Sequence, residues 1–277
     1  MMTTPLIGAR PAPGLHVMSF NVRRAMEGQL RRRRDRWSVR APAVRELLRS
    51  ERPTVLGLQE VLPRAMRVFR EALGPNLRVL GRGRARGGAG EGNPLSYDAD
   101  RLDLHAWGQR ALSDRPDEPG SRTWGNLIPR VFVWAELSER SSGDRFLAVN
   151  THLDHLSPSA RRRSAEALLS FIESRALPSV VMGDLNAADG SSAVRMLLGH
   201  GILADTWDVA ERRLTPPWGT FPGYRRPRVG GRRIDRIFVT PDVRVHEAAI
   251  NPLVVDGIRP SDHLAVQSLL RIEKGRS

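Results

Sequence analysis

Cysteine is absent from this 277-residue sequence, which excludes disulfides, thiolate metal ligands and cysteine nucleophiles together. Any metal must be held by oxygen or nitrogen, and oxygen-rich donor sets favour hard cations such as Mg²⁺. Lysine is nearly absent too. Lys274 is the only one, so arginine supplies 43 of the 44 basic residues. No apolar run approaches the roughly 20 residues that cross a bilayer. The opening MMTTPLIGARPAPG lacks the charged start and apolar middle of a secretion signal. These absences set the expectation of a soluble cytoplasmic protein with no membrane span.

Apolar residues make up 40% of the chain and fall in short runs, at 131–137 and 146–149 for example, enough for a sizeable core and too many for general disorder. One α/β domain can absorb this length. Residues 1–13, with three prolines and no periodicity, read as a disordered tail, and 14–277 as the domain. The formal charge of +14 suits an anionic partner, because clustered cations release counterions on binding a polyanion. Codon bias could produce the same arginine skew, so the charge is weak support for DNA or RNA.

Hydrophobic spacing predicts strands at 15–20, 54–58, 93–98, 101–112, 130–137, 145–151, 179–182, 234–239, 243–250 and 264–271. Helices are expected at 36–49, 62–73, 159–175 and 192–198. The six glycines of 81–92 read as a loop, either one that closes over a charged ligand or a plain connection, and the plain connection is favoured because no GKS or GKT follows them. The run 31–34 and the triplet 161–163 read as solvated arginines, and Trp107, Trp124, Trp134 and Trp207 as packing residues. Mixed helices and strands, with consecutive strands in the middle, predict an α/β (α+β) fold of two mixed sheets packed face to face with helices outside.

The informative polar residues stand where predicted strands end, the place where open α/β sheets put ligand sites. They are Asn21, Gln59, Glu60, His152, Asp154, Asp184, Asn186, Asp235, Asp262 and His263. Phosphoester hydrolysis needs these types: hard oxygens for Mg²⁺, a base for water and donors for the charge gathering on phosphate oxygens. Glu60 and Asp262 supply the carboxylates, which Asn21 can complete through its amide oxygen or a water. Asp184 is the candidate to orient or deprotonate water, with Asn186 holding that carboxylate or a phosphate oxygen. His152 and His263 are candidate phosphate donors, and Asp235 can fix the tautomer of one of them. Each residue alone has a bland reading as a turn, a cap or a core histidine. Joint occurrence in one order outweighs those readings.

The motifs SFNV (19–22), LQE (58–60), NTHLDH (150–155), GDLNA (183–187), RIDRIFVT (233–240) and SDHLAV (261–266) resemble, in order, those of the endonuclease/exonuclease/phosphatase superfamily. The resemblance spans residues 15–270. It implies a four-layered α/β sandwich of mainly antiparallel sheets, a metal at Asn21, Glu60 and Asp262, and catalysis by His152, Asp184, Asn186 and His263 with Asp235 supporting His263. A bacterial subgroup is similar around 91–104 and 113–137, which implies substrate contacts by Asn93 and Tyr97; Asp154 and His155 of NTHLDH are assigned the same role. The chain departs from that subgroup at Ser96, Asp98 and Pro222. The function expected is a Mg²⁺-dependent phosphodiesterase or nuclease, with Mn²⁺ as a substitute. The alternatives are hydrolysis of small or lipid-linked phosphate esters and, disfavoured by the intact polar set, a non-catalytic polyanion binder.

Overall fold

The computed structural model describes residues 4–28 and 32–273. Arg31 and Lys274, named above, lie outside the described residues. The elements begin with β1 (Leu15–Asn21), α1 (Trp37–Glu51), β2 (Val55–Gln59), α2 (Met66–Leu73), β3 (Leu77–Leu80), β4 (Leu95–Asp98), β5 (Leu102–Ala111), β6 (Val131–Glu139) and β7 (Arg145–His152). They continue with α3 (Pro158–Arg175), β8 (Ser179–Asp184), α4 (Ser192–Leu198), β9 (Ala204–Asp205), α5 (Thr206–Val209), β10 (Arg212–Arg213), β11 (Asp235–Val239), β12 (Val243–Asn251) and β13 (Ala265–Ile272). Two sheets result, ordered β10-β12-β13-β1-β2-β4-β3 and β5-β6-β7-β8-β11-β9. Only β1–β2, β7–β8 and β10–β12 pair in parallel among the described residues, so the sheets are mixed and mainly antiparallel.

Alternation explains why so many strands are apolar on both faces. Val17 of β1, Val55 of β2, Val133 of β6 and Val180 of β8 pack between the sheets. Their neighbours point outward: Met18 and Leu56 meet Val44, Leu47 and Phe69 of α1 and α2, while Trp134 and Val181 meet Leu168, Phe171 and Ile172 of α3. The layers are therefore helix, sheet, sheet, helix, the four-layered sandwich expected. Ser157 starts α3 by accepting from the Ala160 amide, with Pro158 in the first turn.

Three departures have local causes. The strands β9 and β10, two residues each, carry no periodic signal, and half-exposed β3 at a sheet edge is too short for one. The expected tail is anchored at residues 6–8, whose amides donate to the Glu51 carboxylate at 2.9, 3.2 and 3.0 Å. Trp134 and Trp207 are buried, but Trp107 is 40% exposed on edge strand β5. No helix among the described residues is long and apolar enough to cross a membrane.

Candidate active site

Strand parity decides which side chains meet. In β1, Val17 faces the inter-sheet core, so Ser19 and Asn21 face it too. The same parity directs Gln59 of β2, His152 of β7 and Asp184 of β8 inward, after Val55, Ala148 and Met182. In β11, Asp235 lies opposite Asp184, with Ile237 and Val239 inward behind it. Residues from both sheets thus converge at one end of the sandwich.

Beneath them lies a neutral polar floor. Asn150 Nδ2 reaches the carbonyls of Leu58, Asn93 and Pro94 at 2.9, 3.0 and 2.9 Å, and Gln59 Nε2 donates to Asn150 Oδ1 at 2.7 Å. At Gly57 any Cβ would stand 2.6 Å from Met182 Sδ, so only glycine lets the sheets approach here. Arg40 of α1, fully buried, donates to the carbonyls of Val22, Arg23, Arg24 and Pro260, tying the loop after β1 to the segment that carries Asp262.

A cavity of about 320 Å³ opens above this floor. Asn21 Nδ2 donates to Asp184 Oδ2 at 2.9 Å and to Glu60 Oε1 at 3.2 Å, while its Oδ1 accepts from the Arg23 amide at 2.9 Å. In this orientation Asn21 aligns two carboxylates, and it would serve a cation through water rather than through its oxygen. Asp184 Oδ1 accepts from the Asn186 amide at 2.9 Å, and His152 Nε2 and His263 Nε2 lie 3.5 and 3.9 Å from Asp184 Oδ2. The Asn186 side chain donates to the Leu153 carbonyl. His263 Nδ1 sits 3.0 and 3.1 Å from the two oxygens of Asp235. Phe221 packs on the His263 ring at 4.6 Å.

Burial is the largest single influence on His263 and opposes its charge, but Asp235, Asp184 and Asp262 together outweigh it, and the imidazole is pushed up to about 10. Burial, with help from Arg130 and Arg84, pushes His152 well below its usual value, so that ring is neutral. Burial and the neighbouring Asp235 push Asp184 up to about 7. Burial would raise Glu60, yet His263, Asn21 and Arg23 hold it below the usual carboxylate range.

Two groups could hold a cation. Ligand atoms of Asp184, Asp235 and His263 lie within 4.8 Å of one another. A histidine ligand must be deprotonated, and Asp235, 3.0 Å from Nδ1, favours the protonated ring when no cation is bound. Glu60 and Asp262 are the second group: both are cavity-lining oxygen donors, and Arg23, with Nε 3.6 Å from Asp262, has its charge stabilised by both.

Of the residues singled out from sequence, His152, Asp184, Asn186, His263, Glu60, Asp262 and His155 line the cavity; Asn21 and Asp235 stand directly behind. Gln59 is in the floor, and three lie elsewhere. Tyr97 pairs with Val55 at the start of β2, the end of the strand remote from Gln59, and packs in the inter-sheet core. Asn93 backs the floor, its backbone carbonyl accepting from Asn150 and its side-chain Nδ2 donating to the Val131 carbonyl. Asp154 caps its own loop through the Leu156 and Ser157 amides and pairs with Arg130 at 3.4 Å. Sequence reasoning missed Arg23, Arg24, Arg84, Glu91, Arg130 and Phe221, all of which line the cavity. Arg84 and Glu91 come from the glycine-rich segment read as a plain loop, which folds back on itself through Arg84–Glu91 and Gly83–Gly88 backbone bonds.

Fold and site together define a two-sheet α/β hydrolase with an acidic, metal-compatible centre. The chain belongs to the endonuclease/exonuclease/phosphatase family, whose profile matches residues 18–263. Members of that family hydrolyse phosphate esters and generally depend on divalent metal. An endonuclease/exonuclease/phosphatase family protein of Bacteroides thetaiotaomicron is 28% identical, with a TM-score of 0.88 over 94% of this chain and 98% of its own. A Bacteroides vulgatus member is 30% identical, with a TM-score of 0.86 over 94% and 99%. A mannosyl-6-phosphatase of Bacteroides thetaiotaomicron is 28% identical, with a TM-score of 0.86 over 92% and 99%. No curated protein matches the sequence.

Proposed function

We propose that this chain is a Mg²⁺-dependent phosphoesterase acting on small phosphate esters, phosphomonoesters foremost. The observation that carries this reading is the convergence of Arg23, Arg24, Arg84, Arg130 and a protonated His263 on one cavity of about 320 Å³ around Asp184. That volume lies near the lower end of small-ligand sites, about 300–1,000 Å³. Glu60, Glu91, Asp184 and Asp262 share that wall, so the positive groups exceed the carboxylates by one before a cation binds, and with a divalent cation the surplus suits a dianionic monoester better than the single charge of a diester. The similar mannosyl-6-phosphatase lends support from outside the chain.

Glu60 and Asp262 would hold the cation, with Asn21 aligning Glu60 against Asp184. A bound Mg²⁺, or Mn²⁺ in its place, would supply positive charge to offset the negative charge gathering on the phosphate. Asp184 takes the proton of a water whose oxygen bonds to phosphorus as the ester P–O bond breaks on the far side, the leaving oxygen keeping the bond's electron pair and taking a proton from solvent. The Asn186 amide fixes Asp184 for this transfer. His263, kept protonated by Asp235, donates from Nε2 to a phosphate oxygen, and a charged donor of this kind contributes about 3 kcal/mol. Arg130, paired with Asp154 and beside His155, faces the other phosphate oxygens.

A nuclease is the second reading, and the formal charge of +14 favours it. Turnover of phenyl phosphate, a bis-aryl phosphodiester, single-stranded DNA, duplex DNA and RNA at several salt concentrations separates the two. The monoester is expected to exceed the diester in kcat/KM by about 100-fold or more, the scale of differential transition-state binding. Preferred turnover of nucleic acid that collapses with salt would replace this reading with the second.

A further inference from the structure

One buried charge behind the cavity takes no part in the reaction above. Arg40 of α1 is 0% exposed, and its guanidinium directs all five N–H donors at backbone carbonyls. Nε donates to Asp35 at 3.4 Å, one terminal nitrogen to Val22 and Pro260 at 2.7 and 3.0 Å, and the other to Arg23 and Arg24 at 3.2 and 2.9 Å. With every acceptor a carbonyl, no carboxylate pairs with it among the described residues. Arg130 and Arg236, also buried, each hold an aspartate, Asp154 and Asp205. A buried charge without a partner of opposite sign is costly, so this one calls for a reason beyond filling space.

Four of the five carbonyls lie in the two segments that meet at the proposed cation ligands. Pro260 stands two residues before Asp262. In the other segment the Arg23 amide donates to Asn21 Oδ1 at 2.9 Å and the Arg24 amide to Glu60 Oε2 at 3.1 Å, while Arg23 Nε is 3.6 Å from Asp262. The N–H and C=O of a trans peptide face opposite ways, so the units joining residues 22–24 present amides to Asn21 and Glu60 and carbonyls to Arg40. Three successive carbonyls reach one guanidinium only where the chain bends, and Arg23 supplies the bend at φ +54. Such left-handed strain persists only where the surroundings enforce it, and here Arg40 makes the enforcing contacts. Ser261 Oγ, donating to the Asn21 carbonyl at 2.7 Å, closes the same joint.

We propose that Arg40 is a positioning residue for the cation site, holding the segment 22–24 against the one that carries Asp262 so that Glu60 and Asp262 stand in their binding arrangement before a metal arrives. This rests on the reading that those two carboxylates hold the cation. Arg40 does not line the cavity, and its own charge opposes a second cation nearby. Preorganisation and charge therefore act in opposite directions, and substitution separates them. Arg40→Lys keeps the charge and loses the planar fork, whereas Arg40→Met loses both. Where fixing the two segments dominates, both variants bind the cation more weakly; where charge dominates, Arg40→Met binds it more tightly.

The test is Mn²⁺ binding without substrate, followed by electron paramagnetic resonance, with thermal melts to confirm folding. Arg40→Lys and Arg40→Met are expected to raise the Kd for Mn²⁺ about 10- to 100-fold, the scale for residues that orient metal ligands. Glu51→Ala, beside the start of β1, controls for lost stability and should keep that Kd within about twofold of the wild type, since distant sites act independently. Unchanged affinity in a folded Arg40→Lys, or tighter binding by Arg40→Met, overturns the proposal. Hydrogen exchange on the wild type decides the matter if neither variant folds. The Arg23 and Arg24 amides should already be protected without metal and gain at most about threefold from Mn²⁺. Amides that exchange freely until Mn²⁺ is added overturn the proposal. Glu60→Gln and Asp262→Asn separate the two possible failures. Binding lost in these two but kept in Arg40→Lys overturns the role of Arg40 alone, whereas wild-type binding by Glu60→Gln and Asp262→Asn overturns the cation reading and this proposal with it.

Discussion

The two ends of β1 each hold a buried histidine and a buried carboxylate, and they differ in how completely those groups are satisfied. At the start of the strand, His16 contacts the carbonyls of Gly8 and Glu51 through Nδ1 and Gln267 Oε1 through Nε2. Beside it, Glu51 accepts four hydrogen bonds, from the amides of residues 6–8 and from Asn251. All four acceptor positions of that carboxylate are filled by the chain itself. At the other end, Asp184 accepts from Asn21 and the Asn186 amide only, stands beside a second carboxylate, and faces the cavity. A saturated buried carboxylate is an anchor. An unsaturated one, pushed up to about 7, has capacity left for a proton or a water.

Exchanging the two carboxylates should therefore break different properties. Asp184→Asn is expected to cost about 10³-fold or more in kcat, the upper range for a general base, while leaving the melting temperature equal or higher because a buried charge repulsion is gone. Glu51→Ala should do the reverse: about 3 kcal/mol of stability lost, since several donors are left buried and unpaired, with kcat changed less than twofold. Steady-state kinetics and denaturant melts on both variants check this pair. If Glu51→Ala lowers kcat as much as Asp184→Asn does, the two ends are not functionally separate.

The histidines sharpen the contrast through pH. The folded state raises His263 from 6.5 to about 10, so its contribution to stability is complete below about pH 6.5 and is lost as pH rises through 10. Burial lowers His16, so the unfolded chain takes up a proton that the folded one refuses, and stability falls as pH drops below about 6.5. His16→Gln should flatten the acid side of the stability profile and leave the alkaline side sloping. A flattened alkaline side would contradict the assignment.

The smallest expected effect concerns backbone strain. Glu60 and Asn186 at the cavity have φ of +59 and +49, as does Ala176, at +48, where α3 ends. Ala176→Gly should gain about 0.5–1 kcal/mol with unchanged kcat, because glycine relieves the left-handed strain. Glu60→Gly relieves the same strain but removes a proposed cation ligand, so any gain in melting temperature is expected to come with loss of metal-dependent activity. Calorimetry on both variants checks the difference.

The sandwich was legible because alternation survives in strands buried on both faces, and the inward residues at strand ends, from Asn21 to Asp235, followed from the same parity. The cavity wall was not. Arg23, Arg24, Arg84 and Arg130 are four among 43 arginines, most of them on the surface, so their identity carried no signal. Glu91 lies in a glycine-rich stretch whose composition reports only that it turns. Tyr97 was misplaced because proximity in sequence to a site motif says nothing about which end of a strand a residue occupies. Asp154 was misplaced because a carboxylate two residues from a site histidine can as readily cap the loop between them.

The central claim is that Asp184 and a cation held by Glu60 and Asp262 together hydrolyse a phosphate ester. Phosphate release from phenyl phosphate, measured for wild type and Asp184→Asn after chelation and again with Mg²⁺ restored, tests it directly. The account predicts release by the wild type only, and only with the metal present. Equal release by both proteins, or release that survives chelation, would contradict it.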